Sequence, residues 1–131
     1  MSISKFPDFK NIDLSDQDEI ENILNTNQIE AAEFTFPNLF AWREYDRSKL
    51  TLINDNLCIL STLYKSGVCC FVQPVGGNNV VGTINICLDN LVQQKVKDPR
   101  VLRVSKNYLN EHKLTEHFKC DLDRDNSDYV Y

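Results

Sequence analysis

Between Lys49 and Gln93 the chain changes its apolar period, and the change falls on Pro74 and a glycine pair, Gly76-Gly77. Three runs before it, "KLTLIN", "NLCILSTL" and "GVCCFVQPV", are dense in strand-forming residues. The first two flank Asp55 in an Asn-Asp-Asn turn, which predicts a hairpin. The third, after Ser66-Gly67, extends the hairpin to an antiparallel meander. Its near-continuous apolar content predicts a central strand covered on both faces. Past the glycines, Val80, Val81, Ile84, Leu88, Leu91 and Val92 recur at spacings of three and four. That pattern predicts an amphipathic helix of about four turns, ending near Lys95, with Lys95 and Lys97 at its negative end.

The flanks supply further elements. "FKNID" predicts a short strand over Phe9–Asp13, and a helix is expected over Asp16–Asn25 with Ser15 as its N-cap and Ile20, Ile23 and Leu24 as its apolar stripe. In "FTFPNLFAWREY", Pro37 suits a helical first turn, and Phe36, Leu39, Phe40 and Trp42 are expected to anchor a core. Beyond Pro99, "RVLRVS" reads as a strand, "KNYLNEHK" as a short helix, and "FKCDLD" and "SDYVY" as two closing strands around the turn-rich "DRDNS". The order is strand, two helices, a three-strand meander, helix, strand, helix and two strands. The expected class is α+β: a mixed, mostly antiparallel sheet with helices on both faces.

At 131 residues the chain is expected to form a single domain, 1–131, able to bury a core without disulfides or a structural metal. The five cysteines, at 58, 69, 70, 87 and 120, include no CxxC pair, so reduced and mostly buried thiols are expected, with no metal. No apolar run reaches the roughly 18–20 residues of a membrane span and the first ten residues hold no signal core, so the expected location is cytoplasmic. The net charge is −5. From Met1 to Asp46 three basic residues stand against ten acidic ones, and from Lys95 to Arg124 eight stand against five. Acidity in the first part and scattered charge in the second argue against nucleic-acid binding by this chain alone.

The order of elements resembles the GNAT-like N-acetyltransferase fold. "FTFPNLFAWREY", "LCIL", "PVGG" and "DRDNSDYVY" together resemble the N-terminal half of the family named for the C-terminal domain of phosphatidylglycerol lysyltransferase, over Phe6 to Tyr131. Members of that family usually carry two GNAT-like halves in tandem, and characterised relatives pass an aminoacyl group from a charged tRNA to a lipid head group or a peptide amine. The resemblance implies that this chain is a non-catalytic first half, packing against a second GNAT-like half, in cis or in trans, and shaping one side of its substrate cleft. A wholly different function, a stand-alone protein-interaction module using the aromatic segment, fits the same sequence.

In acyl-CoA-binding proteins of the fold, the turn from the fourth strand into the central helix holds the pyrophosphate. The corresponding residues here are Gln73, Pro74, Val75, Gly76, Gly77 and Asn78. If the chain were a self-sufficient acyl-CoA-dependent N-acyltransferase, Gly76, Gly77 and Asn78 would bind the cofactor, because backbone N–H groups at a helix start attract phosphate. Asn78 stands where a small residue is usual and Pro74 lacks an N–H. The simpler expectation is therefore that no cofactor binds, that the glycines allow positive φ in a tight turn, and that Asn78 or Asn79 caps the helix. No catalytic residue is assigned. Tyr108 lies where many acetyltransferases of the fold place a tyrosine acid, but a packing role with its hydroxyl at the surface is expected. His112 and His117 are off helical register for a shared site. The alternating Asp121, Asp123, Asp125 and Asp128 lack the glycine and glutamate of an EF-hand, so a solvated turn is expected.

Overall fold

The hairpin at Asn54-Asp55 is built from backbone that few sequences can supply. Both residues have positive φ, 54° and 64°, the conformation of a two-residue type I′ connection, which Asn and Asp tolerate and most residues do not. In the computed structural model, which describes residues 3–27, 35–45, 47–62, 67, 69–97, 99–122 and 128–130, with 120–122 and 128–130 described as backbone, this turn joins β2 (Lys49–Ile53) to β3 (Asn56–Thr62). A short β1 (Lys10–Asn11) pairs with the outer edge of β2, and β4 (Cys69–Val72) pairs with β3, all antiparallel.

The chain then crosses over through α3 (Val80–Gln93) to β5 (Val101–Val104), which lies parallel to β4 through Phe71↔Val101 and Val72↔Leu102. After α4 (Lys106–Glu111), β6 (Cys120–Leu122) and β7 (Asp128–Val130) complete a seven-stranded sheet in the order β1-β2-β3-β4-β5-β7-β6. The fold is α+β, and the sheet is mixed with a single parallel pair among the described strands.

Side-chain alternation divides the core into two. On β3, Leu57 and Ile59 pack under α1 (Gln17–Thr26) and α2 (Phe36–Trp42), beside Ile20, Leu24 and Phe36. Cys58, between them, faces the other way, into a cluster with Phe71, Val80, Ile84, Cys87 and Leu91 beneath α3. On β4 the neighbours Phe71 and Val72 go to opposite clusters, as the period of two requires. A strand buried on both sides needs apolar residues at every position, which accounts for the unbroken run in "CCFV". Each large aliphatic side chain buried in this way contributes about 1.5–3 kcal/mol relative to exposure.

Three details depart from the sequence expectations. Ser15 does not cap α1. A 3-10 turn over Leu14–Asp16 precedes the helix, Asp16 occupies the N-cap position, and its carboxylate accepts from the Asp13 N–H at 2.9 Å while pairing with Lys10. The Lys10 partner on β1 draws Asp16 into a fully buried position, which leaves Ser15 on the outside. Trp42 is not in the core: it is 55% exposed and packs against the exposed Tyr45 with ring centroids 5.4 Å apart, because α2 ends at this residue and the chain turns away. Val92 is 59% exposed, lying one step past the buried Leu91 on the solvent side of α3. Pro37 stands in the first turn of α2, as expected, in a helix that begins at Phe36 with Thr35 as the cap accepting from the Asn38 N–H at 3.3 Å. The acidic residues Asp123 and Asp125 lie outside the described residues.

Candidate functional site

The corner where β4 and β5 part company is where the fold can bring chemistry together. The two strands run side by side as far as the Gln73 N–H, which donates to the Leu102 carbonyl at 3.0 Å. Beyond that point the β4 chain turns through Pro74 and Gly76 toward α3, and β5 continues to α4. The two segments therefore separate at the carboxyl ends of the two parallel strands, the usual place for a ligand in sheets with such pairs.

Two side chains tie the separating segments together. Gln73 is buried, and its Oε1 accepts from the Ser105 N–H at 2.9 Å, joining the end of β4 to the start of α4. Tyr108 on α4 donates its hydroxyl to the Gly76 carbonyl at 3.0 Å. Tyr108 is 8% exposed, so its hydroxyl lies inside, on the turn, and not at the surface as expected from the sequence. Burial, with further pushes from Cys58, Cys87 and Glu111, raises the Tyr108 phenol well above its ordinary range, so it stays a hydrogen-bond donor into the alkaline range.

The turn itself is organised by Asn56. Its Nδ2 donates to the Asn78 carbonyl at 2.6 Å and to Thr83 Oγ1 at 3.0 Å, and its Oδ1 accepts from the Asn78 N–H at 3.2 Å. Asn54 adds a donor to the same Thr83 hydroxyl at 3.1 Å. Gly76 has φ 139° and sits against this carboxamide. Gly77 does not share the positive φ, and a side chain there would meet only His112 at ordinary contact distance. So one glycine of the pair is required by the turn, where both were expected to be.

Asn79 caps α3. It adopts left-handed φ 43°, ψ 57°, and its side chain accepts from the Gly82 N–H at 3.3 Å. Of the three residues singled out for cofactor binding, Gly76 offers a carbonyl already bonded to Tyr108, and Asn78 offers an N–H already bonded to Asn56. Gly77 is exposed. Asn78 was the expected intruder at this corner, but its side chain is exposed and Asn56 fills the space.

Beneath the corner, Cys58 and Cys87 meet in the core, and the Cys58 thiol, together with burial, holds the Cys87 thiol well above its ordinary range. His112 packs against Tyr108, with centroids 4.6 Å apart and ring planes tilted by 58°, and lies 3.7 Å from Glu111. His117 lies elsewhere, against Phe118. Among the described residues no group of three or more His, Cys, Asp or Glu side chains is placed to hold a metal ion. None of the described helices is long and apolar enough to cross a membrane.

Sequence reasoning does not single out Asn56 or His112 as site residues. For Asn56 a signal exists: a two-residue type I′ turn needs positive φ at Asn54 and Asp55 only, so the third residue of "NDN" has no turn role. For His112 there is none, because its neighbourhood with Gly77 arises from the packing of α4 on the turn.

No protein-family model matches the chain, and no curated protein matches it. Among solved structures, it is similar to a conserved protein of unknown function from Bacteroides thetaiotaomicron VPI-5482, with a TM-score of 0.77, 23% identity, and coverage of 88% of this chain and 39% of that one. The likeness is one of fold, and the chain spans about two fifths of the length of that neighbour.

Proposed function

We propose that this chain is a GNAT-like domain serving as the non-catalytic first half of an aminoacyltransferase-like protein related to the phosphatidylglycerol lysyltransferase family. In this role it packs against a second GNAT-like half and shapes its substrate cleft. The observation that carries the reading is the state of the β4–α3 corner. In an acyl-CoA-binding protein of this fold the corner presents free backbone donors, and here Asn56 and Asn79 already accept from the N–H groups of Asn78 and Gly82. A phosphate would have to displace a buried carboxamide that makes three hydrogen bonds, each worth about 1 kcal/mol net. The exposed Trp42–Tyr45 pair supports a docking face, since paired aromatics at a surface are common anchors between proteins.

Two measurements test the proposal. The coding sequence past the Tyr131 codon is expected to continue in frame for about 150 residues, one typical domain, and that segment, produced separately, is expected to bind this chain in analytical ultracentrifugation. A stop codon directly after Tyr131 counts against it. Calorimetric titration with acetyl-CoA is expected to give no heat of binding. Saturable binding that is lost on substituting Gly77 would replace this proposal with a self-sufficient acyl-CoA-dependent N-acyltransferase.

A further inference from the structure

The segment from Arg43 to Lys49 carries a feature that the proposed role does not use. Where α2 hands the chain to β2, a cavity of about 470 Å³ opens between this connection and β1, lined by Asn11, Ile12, Arg43, Glu44, Arg47, Ser48 and Lys49. That volume is in the range of small-molecule sites, ~300–1,000 Å³. Among the described residues three cations and one carboxylate line it, within a chain of net charge −5.

The cations are not there only to balance the protein's own charges. Arg43 is held by its own helix, where its Nη1 donates to the Phe40 carbonyl at 2.5 Å and its guanidinium lies 3.6 Å over the Phe40 ring. It therefore answers the negative end of α2 and is fixed in one orientation. Arg47 and Lys49 are not engaged in this way. Both are exposed, and neither pairs with a described carboxylate, although the preceding chain is rich in them. Ser48, between them, is buried at 7% exposure, its N–H bonded to the Arg43 carbonyl at 3.0 Å. That bond ties the residue before β2 to the end of α2, so Arg43 and Lys49 are carried on the two elements it joins. The buried Ile12 adds an apolar patch, and Asn11 adds a neutral donor and acceptor.

We propose that this cavity binds a small phosphomonoester, with its dianion among Arg43, Arg47 and Lys49 and its carbon skeleton toward Ile12. Guanidinium groups suit a phosphate because their planar forks donate in pairs, and a lysine adds a third charge without directional demand. Asn11 and Ser48 are placed for the hydroxyl groups of such a ligand. Glu44 disfavours ligands of higher negative charge.

The test is amide chemical-shift titration of the full chain with glycerol 3-phosphate, inorganic phosphate and sodium chloride at matched ionic strength. Glycerol 3-phosphate is expected to give saturable shifts at residues 11–12 and 43–49, and to bind several-fold more tightly than inorganic phosphate. Arg47→Ala and Lys49→Ala, at exposed positions that leave the fold intact, are each expected to weaken binding by roughly tenfold or more, the loss of one charge-assisted contact. Glu44→Gln is expected to strengthen it. Shifts reproduced by sodium chloride, or affinity unchanged in the Arg47→Ala/Lys49→Ala double variant, overturn the site. Inorganic phosphate binding as tightly as the ester overturns the assignment to a phosphomonoester.

Discussion

The Asn56 carboxamide occupies the space that any side chain on Gly76 would need: a methyl group built on Gly76 would overlap Asn56 Oδ1 and come within 3.3 Å of the Asn56 Cα. The two residues lie on different elements, β3 and the β4–α3 turn, so their contact sets how the turn sits on the sheet. Gly76 is also at φ 139°, a backbone region that side chains rarely adopt. Gly76→Ala is therefore expected to destabilise the fold by about 2–4 kcal/mol, from backbone strain and steric displacement together. In an Asn56→Ala background the overlap with the carboxamide is gone, leaving the backbone strain and the close approach to the Cα of residue 56, so the same substitution should cost at least about 1 kcal/mol less there. Urea unfolding of the four-member cycle reads this directly, and additive costs would show that the two residues do not compete for one space.

Tyr108→Phe removes the hydroxyl that ties α4 to the Gly76 carbonyl. The expected cost is about 1 kcal/mol at neutral pH. It also carries a pH signature. Burial raises the phenol of the folded protein above its ordinary 10.0, so between those values the unfolded state has lost a proton that the folded state keeps. The contribution of Tyr108 is complete below pH 10 and declines as pH rises toward the folded value. The stability gap between the native chain and Tyr108→Phe should then narrow above pH 10, as measured by denaturant unfolding across the alkaline range. A gap that widens there would contradict the assigned burial.

At Asn79 two separate properties can be pulled apart. The residue supplies the cap of α3 and tolerates a left-handed backbone, φ 43°. Asn79→Gly keeps the backbone freedom and loses the side-chain acceptor, for an expected cost of a few tenths of a kcal/mol. Asn79→Ala loses both and should cost about 1–2 kcal/mol. Thermal unfolding ranks the two. Equal losses would mean that the backbone conformation contributes nothing.

Much of the fold was legible because it rests on period and punctuation. Apolar runs bounded by "NDN", "SG" and "GG" located the meander, and the 3-4 spacing from Val80 to Leu91 located the central helix within two residues of its observed end. What was not legible depends on partners distant in sequence. Trp42 looked like core because it stands among buried aromatics, yet the helix ends under it and leaves it exposed. Asp16 replaced Ser15 at the head of α1 because Lys10, on a strand, pairs with it. At the corner, the turn glycine, the helix cap and the doubt about a free phosphate cradle could all be read locally. The occupant could not, since Asn56 reaches Asn78 from 22 positions away in the chain and nothing near Gly76 announces it.

The cysteines give a last prediction, on the dynamics of the core. Cys58 and Cys87 are fully buried in one cluster between β3 and α3, the Cys58 thiol donating to the Asn56 carbonyl at 3.7 Å, and Cys70 is almost as inaccessible. Cys69, next to it on β4, points to the other face of the strand and is partly exposed. The thiolate is the reactive form, and the neighbouring Cys58 thiol and burial both favour the neutral thiol at Cys87. Under native conditions near pH 8, iodoacetamide should therefore label Cys69 first among the four cysteines whose side chains are described. Cys58 and Cys87 should be modified together and slowly, at a rate set by opening of α3 from the sheet. Peptide mapping by mass spectrometry over a time course separates the sites. Since α3 is anchored by the Asn56–Thr83 bond at 3.0 Å, Asn56→Ala should accelerate labelling at Cys58 and Cys87 and leave the rate at Cys69 unchanged. Equal acceleration at all three would mean that the variant loosens the whole sheet and that Asn56 does not act through the α3 corner.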